Sequence, residues 1–390
     1  MSPSAAFPES LRAELGELAR ADRLRACPEL DGPDRTHVSR AGASLLAFAS
    51  NDYLGLANHP KVVAAATEAS VRNGFGAGAA RLVTGDLPPH RDLETALADF
   101  LCTPDCLLFS TGYQANIGAL TALAGPDDLI ASDQANHASL IDGCRLSRAT
   151  VRVYEHRNAT AAHAALQAGQ YRRRLLVTES LFSMDGDIAP LASLAAAAAE
   201  TGAILFVDEA HALGVHGPSG RGACAAAGVT PDVLVGTLGK AFASFGGFVA
   251  GPSPLRAFLV NRARTFIFTT APPPPVAAAA ATAVRLAAGP EGDHRRRRLR
   301  ENRERLITHL RAMGSVTQSE TPGAIIPIIL GTNDRALACA RALLAAGIFV
   351  PAIRPPTVPE GTSRLRVTLS AVHTPDEIDA LAAALAGALA

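Results

Sequence analysis

Lys240 stands directly after a short apolar run, Val233-Leu234-Val235, closed by the turn Gly236-Thr237-Leu238-Gly239. It is one of only two lysines in the chain, the other being Lys61, while the remaining basic positions are arginine or histidine. Arginine stays charged and cannot act as an amine nucleophile, whereas a buried lysine can shed its proton and form a Schiff base. One strand earlier, Ile204-Leu205-Phe206-Val207 ends in Asp208, with His211 three residues on. The interval from Asp208 to Lys240 accommodates one helix and the next strand. Acid and amine then meet at the carboxyl ends of neighbouring parallel strands, where open α/β sheets bind their ligands. Pyridoxal phosphate needs such a pair: its aldehyde condenses with the lysine, and a carboxylate keeps its pyridine nitrogen protonated. Each motif alone is weak, because a lone lysine after a strand is usually a surface residue and D-E-A-H also resembles helicase and metal motifs.

Other groups fall on the same rim. Ser110-Thr111-Gly112-Tyr113-Gln114 lies between a strand and a helix, where free N–H groups and the helix dipole favour a phosphate. Tyr113 could flank the cofactor or pack the start of the helix. Asp133-Gln134-Ala135-Asn136-His137 follows another strand, so His137 could stack over a flat ring or serve the structure alone. Ser183 offers a hydroxyl after a further strand. Arg354-Pro355-Pro356-Thr357 and Arg364-Leu365-Arg366 present guanidinium forks suited to a carboxylate, against a background of many surface arginines. Gly74-Phe75-Gly76-Ala77-Gly78 resembles a dinucleotide loop only superficially, since neither a clear strand and helix nor a ribose-binding acid flanks it.

The elements that must position these groups alternate. Strands are expected at Cys106–Phe109, 128–131, 175–178, 203–207, 233–235 and 247–250, with helices at 114–124 and 191–200, a pattern of an α/β domain with a mostly parallel sheet. Leu11, Leu15, Leu18 and Leu24 predict an amphipathic helix over 9–25, followed by a polar stretch to about residue 43. Pro272–Pro275 marks a break before a helix starting near Val276. The run His294-Arg295-Arg296-Arg297-Arg298, interleaved with Glu301 and Glu304, is expected to be a solvated helix face and not a nucleic-acid patch. Strands at 325–330 and 365–369 and helices at 334–346 and from Pro375 suit a small α+β unit. The expected division is 1–48 as helix and arm, 49–285 as the large cofactor-binding unit and 286–390 as the small one.

Bulk properties narrow the function class. Lys+Arg and Asp+Glu both total 36, so no net charge draws the chain to nucleic acid or membrane. The first residues have no basic flank before an apolar core, which argues against a signal peptide. Six scattered cysteines without C-x-x-C spacing read as reduced thiols in a cytoplasmic protein, with no metal site.

Taken in order, Asn51-Asp52-Tyr53-Leu54-Gly55-Leu56, Arg81-Leu82-Val83-Thr84-Gly85, Asn136-His137-Ala138-Ser139, Phe182-Ser183-Met184-Asp185-Gly186-Asp187, Val207-Asp208-Glu209-Ala210-His211 and Thr237-Leu238-Gly239-Lys240 resemble the α-oxoamine synthases, fold-type I pyridoxal-phosphate enzymes. The resemblance runs from about Asn51 onward and implies a seven-stranded sheet with a small C-terminal domain. It implies Lys240 as the Schiff-base lysine and general base, Asp208 at the pyridine nitrogen, His211 and Ser183 near the phenolic oxygen, and His137 over the ring. Gly112, Tyr113 and Thr237 match positions near the cofactor, and Thr270 one that reaches the phosphate in a neighbouring subunit of a homodimer. Arg25, His137, Thr357, Arg366 and Arg354 match substrate-contacting positions. Ala352-Ile353-Arg354-Pro355-Pro356-Thr357-Val358-Pro359 is similar to members that join L-alanine to a pimeloyl thioester, on CoA or acyl carrier protein, with loss of carbon dioxide. Relatives using glycine or serine, or a non-catalytic scaffold of the same fold, are the alternatives. The chain departs from the family at Ala79, Ala80, Ala212 and Ala243, where Gly or Ser is usual.

Overall fold

Short aliphatic runs bounded by Gly, Pro and Asp build the central sheet of the computed structural model, which describes residues 6–32, 34–314 and 323–389. Its seven strands lie in the order Asp105–Phe109, Gly247–Gly251, Val233–Thr237, Ile204–Asp208, Arg174–Glu179, Leu129–Asp133 and Thr150–Tyr154. All neighbours run parallel except Gly247–Gly251, which is antiparallel to both of its partners. The inner strands are covered on both faces, as parallel strands must be, and Leu175, Leu176, Val177, Phe206 and Val207 are fully buried. Each expected strand of this sheet forms. Thr150–Tyr154 was not expected: it is an edge strand, largely exposed, with no buried run to announce it.

Around the sheet, the alanine-rich helix Pro274–Ala288 packs on Pro60–Asn73 and Pro88–Leu101. Its small side chains let the helix axes approach closely. The break expected at Pro272–Pro275 is shorter than expected, because Pro274 and Pro275 occupy the first helical turn, where a missing N–H costs nothing. A second, antiparallel sheet of Ile325–Gly331, Ser363–Thr368 and Ala352–Ile353 is backed by Pro290–Ala312, Asn333–Ala345 and Pro375–Leu389. The N-terminal helix spans Ala6–Arg20, and residues 1–5 of the expected arm lie outside the described residues.

Two expectations are corrected. The polar stretch before residue 43 contains a hairpin, His37–Arg40 with Ala43–Ala47, and Ala43–Ala47 also pairs in parallel with Ile348–Phe349. Its two-residue turn, Ala41-Gly42, has positive φ at both positions, a geometry usually signalled by Asn-Gly or Asp-Gly. The basic run is not simply a solvated face. Arg295 donates to the carbonyls of Leu54 (2.8 Å) and Gly55 (3.0 Å), and Arg296, buried, donates to those of Ala287 (2.8 Å) and Gly214 (3.1 Å). These two arginines tie the long helix to the loops of the large sheet. No helix among the described residues is long and apolar enough to cross a membrane.

Candidate active site

The carboxyl ends of three adjacent strands bring the chemistry together. Glu179 and Asp208 are cross-strand neighbours, and Asp208 lies opposite Val235, five residues before Lys240. Lys240 is half-buried. Burial depresses its pKa from 10.5 to about 8, Asp208 and Glu179 oppose that fall, and the Arg366 guanidinium reinforces it. An amine so placed is partly free at neutral pH, which a nucleophile or base requires. Ala243, just beyond, holds a left-handed φ of 49° and donates its N–H to the Lys240 carbonyl at 2.8 Å.

Asp208 is 6% exposed, and its carboxylate accepts from Asn116 Nδ2 (2.7 Å) and the Ala210 N–H (2.8 Å). His211 is buried with Nδ1 2.6 Å from the Tyr53 hydroxyl. Burial, with Lys240 and Arg366 beside it, keeps this imidazole well below its ordinary pKa and therefore neutral. His137 caps the helix Ala138–Ser147, its backbone N–H donates to Glu179 Oε1 at 2.6 Å, and the Tyr113 ring meets it edge-on at 6.5 Å. The Tyr113 hydroxyl donates to Asp142.

A second group gathers at the N-terminus of the helix Gly112–Leu123. Thr111 caps it by accepting the Gln114 N–H at 3.0 Å. A Cβ on Gly112 would lie 3.4 Å from the Thr237 side chain, so glycine lets the two elements meet. The Ser110 hydroxyl reaches the Thr270 carbonyl at 3.4 Å. Gly112 and Thr237 thus meet at one helix N-terminus, an arrangement suited to a phosphate, while Thr270 enters only through its carbonyl.

The third group comes from the strand Ser363–Thr368. Arg366 donates through Nε to the Ser183 carbonyl (2.7 Å) and through Nη1 to Asn51 Oδ1 (3.2 Å) and Thr368 Oγ1 (3.1 Å). On the same strand, Arg364 donates to the Met184 carbonyl (3.2 Å) and pairs with Asp185. Arg25, Arg354 and Thr357 form a separate cluster: Arg25 reaches the Pro355 carbonyl (3.3 Å) and Thr357 Oγ1 (3.4 Å), and Arg354 reaches the carbonyls of Asp22 and Leu24. A cleft of about 850 Å³, lined by Asn136, Ser183, Thr357 and Arg364 among others, runs between this cluster and the sheet rim.

The donor set suits pyridoxal phosphate on its own geometry: an amine with a depressed pKa, a buried carboxylate, neutral imidazoles and a helix N-terminus face one site. No group of acidic, His or Cys side chains suited to a metal occurs among the described residues. Glu179, Asn116, Ser139 and Tyr53 were missed as site residues. Glu179 is buried and its pKa is raised by burial and by the Asp208 charge. Its signal was available, as an acid ending a strand beside Asp208. Asn116 showed only as one amide in an apolar helix.

Comparison with known proteins agrees with the geometry. The family model for aminotransferase class I and II matches residues 43–385. The 8-amino-7-oxononanoate synthase of Bordetella petrii is 48% identical over 97% of this chain and 96% of its own. Among solved structures, a serine palmitoyltransferase from S. paucimobilis with bound pyridoxal phosphate–myriocin aldimine aligns with a TM-score of 0.92 and 33% identity over 99% of this chain and 98% of that one. The 8-amino-7-oxononanoate synthase of Francisella tularensis aligns with a TM-score of 0.76 and 28% identity over 88% of this chain and 98% of that one. The chain belongs to the α-oxoamine synthases, pyridoxal-phosphate-dependent acyltransferases of the aminotransferase class I and II fold.

Proposed function

We propose that this enzyme joins L-alanine to a pimeloyl thioester, carried on CoA or acyl carrier protein, to give 8-amino-7-oxononanoate, carbon dioxide and the free thiol for biotin synthesis. The observation that carries the reading is Lys240, which follows the strand paired with that of Asp208 and whose amine pKa is depressed by burial, with the charges of Asp208, Glu179 and Arg366 acting on it. Bound pyridoxal phosphate supplies an aldehyde for the amine and a ring that accepts electron density from the amino-acid Cα. Lys240 holds the cofactor and then takes the Cα proton at Nζ. Asp208 keeps the pyridine nitrogen protonated, and its bonds from Asn116 and Ala210 fix the carboxylate for that task. Gly112, Tyr113 and Thr237 would hold the phosphate end, Ser183 and His211 would bond the phenolic oxygen, and His137 would cover the ring.

Arg366 receives the amino-acid carboxylate on its guanidinium, aligning the Cα–H bond with Nζ. Arg25, Arg354 and Thr357 bind the acyl donor beside the cleft. Thr270 reaches the phosphate of a second copy in a homodimer. Supporting that assembly, Phe75, Leu82, Val83, Phe245 and Phe268 on this face are each more than half exposed. Borohydride reduction and peptide mapping test the lysine, with a pyridoxyl group expected on Lys240. Condensation rates for alanine, glycine and serine against a series of acyl thioesters test the substrates; a preference for glycine or serine overturns the assignment.

A further inference from the structure

A continuous hydrogen-bond chain joins Asp208 to His137 through Asn116 and Ser139. Asn116 Nδ2 lies 2.7 Å from Asp208 Oδ2 and 2.9 Å from Ser139 Oγ, and Ser139 Oγ lies 2.8 Å from His137 Nδ1. Donor chemistry fixes the direction of every proton. The amide nitrogen only donates and carries two hydrogens, so one goes to the carboxylate and the other to the hydroxyl oxygen. The Ser139 backbone N–H, which can only donate, points at His137 Nδ1 at 3.2 Å, so Nδ1 is an acceptor and the ring's single proton lies on Nε2. The Ser139 hydroxyl, which accepts from Asn116, then gives its own proton to the same Nδ1.

Turning the Asn116 amide round would set its oxygen against a carboxylate, two acceptors face to face. Instead Oδ1 is the buried atom left without a partner, the smaller cost. Asn116 and Ser139 are each 1% exposed, so water does not compete for these bonds.

We propose that Asn116 and Ser139 are positioning residues that hold His137 as the neutral, Nε2-protonated imidazole and fasten its ring to the Asp208 carboxylate. The proposal rests on the reading in which His137 covers the cofactor and Asp208 meets its pyridine nitrogen. It makes His137 a hydrogen-bond donor to the cleft and never a proton acceptor there, which leaves Lys240 as the base. The groups around the imidazole are accounted for. Burial favours the neutral ring and the Lys240 charge does the same, Asp208 and Asp142 oppose them, Glu179 holds the backbone N–H, and Tyr113 meets the ring edge.

Long-range ¹H–¹⁵N spectra of the ¹⁵N-histidine-labelled holoenzyme test this, with the His137 signals identified by their loss in His137→Gln. The expected result is the Nε2–H pattern, un-ionised at neutral pH and above. Ser139→Ala should mix the two tautomers and raise the His137 midpoint by about half a unit to one unit, because it removes a donor to the neutral ring. Ser139→Thr should restore the original pattern. An Nδ1–H pattern in the unaltered enzyme, or unchanged His137 signals in Ser139→Ala, overturns the proposal. The tautomer decides on Asn116 and Ser139 by itself, whereas the placement of His137 over the cofactor stands or falls on a separate readout, the shift of the cofactor absorption band in His137→Gln.

Discussion

Lys240→Met removes the amine while keeping a flexible aliphatic side chain of similar length. In the native protein the amine titrates at about 8 and not at its ordinary 10.5. At about 1.4 kcal/mol per pH unit, this depression costs the native state about 3 kcal/mol below pH 8. That figure is already net of the attraction of Asp208 and Glu179, so removing the amine relieves about 3 kcal/mol at pH 7. The cofactor-free variant should therefore unfold a few degrees higher than the unaltered protein at neutral pH, although it has no turnover. The sign of the pH dependence follows from proton counting. Between pH 8 and 10.5 the unfolded lysine still binds its proton and the native one does not, so the unaltered protein gains stability as pH rises. The variant has no such gain, and the difference closes towards pH 10.5. Thermal unfolding of both cofactor-free proteins from pH 6 to 10.5 reads it directly. A variant no more stable at pH 7, or a difference that stays flat across the range, refutes the desolvated amine on which the function rests.

Three further perturbations probe other parts of the site. Arg366→Lys exchanges a planar fork for a point charge and loses the bonds to Ser183 and Asn51, so the KM for the amino acid should rise by about tenfold or more with a smaller change in kcat. Tyr53→Phe strips the hydroxyl 2.6 Å from His211 and should weaken cofactor retention by a factor of several, measured by dialysis and absorbance, at a stability cost of about 1 kcal/mol. Gly247→Ala places a Cβ 2.4 Å from the Gly112 backbone nitrogen, and should open the helix N-terminus and abolish cofactor binding before it abolishes folding, as followed by far-UV circular dichroism.

Sequence reading located what repeats along the chain and missed what crosses it. The strand ends at Asp208 and Lys240 were legible because an apolar run stopped by a charged residue has a local cause. The Ala41-Gly42 hairpin was not, because its turn residues are not those that usually accept positive φ. Asn116 bonds to Ser139 and Asp208, partners remote in sequence, and nothing in a helical window announces such a bond. Arg295 and Arg296 were misjudged for the same reason: a guanidinium that caps distant carbonyls has the same composition as one facing water. Of the substrate candidates, Arg366 joins the lysine, while Arg25, Arg354 and Thr357 assemble elsewhere along the cleft.

The pairing of Ala43–Ala47 with Ile348–Phe349 has a consequence for how the protein is made. Residues 46 and 348 meet in register, the Phe48 carbonyl accepts the Thr368 N–H at 2.9 Å, the Tyr53 carbonyl accepts the Ala371 N–H at 2.8 Å, and Phe48 stacks on His373. The segment that presents Tyr53 to His211 is thus held by residues that leave the ribosome long after it does. The large sheet can close during synthesis, but the hairpin must wait with one edge unpaired, a stretch exposed to wrong partners. Competence to bind cofactor should therefore come late, as a final docking step, and truncation between residues 289 and 373 should yield a folded sheet that cannot hold its imidazole in place.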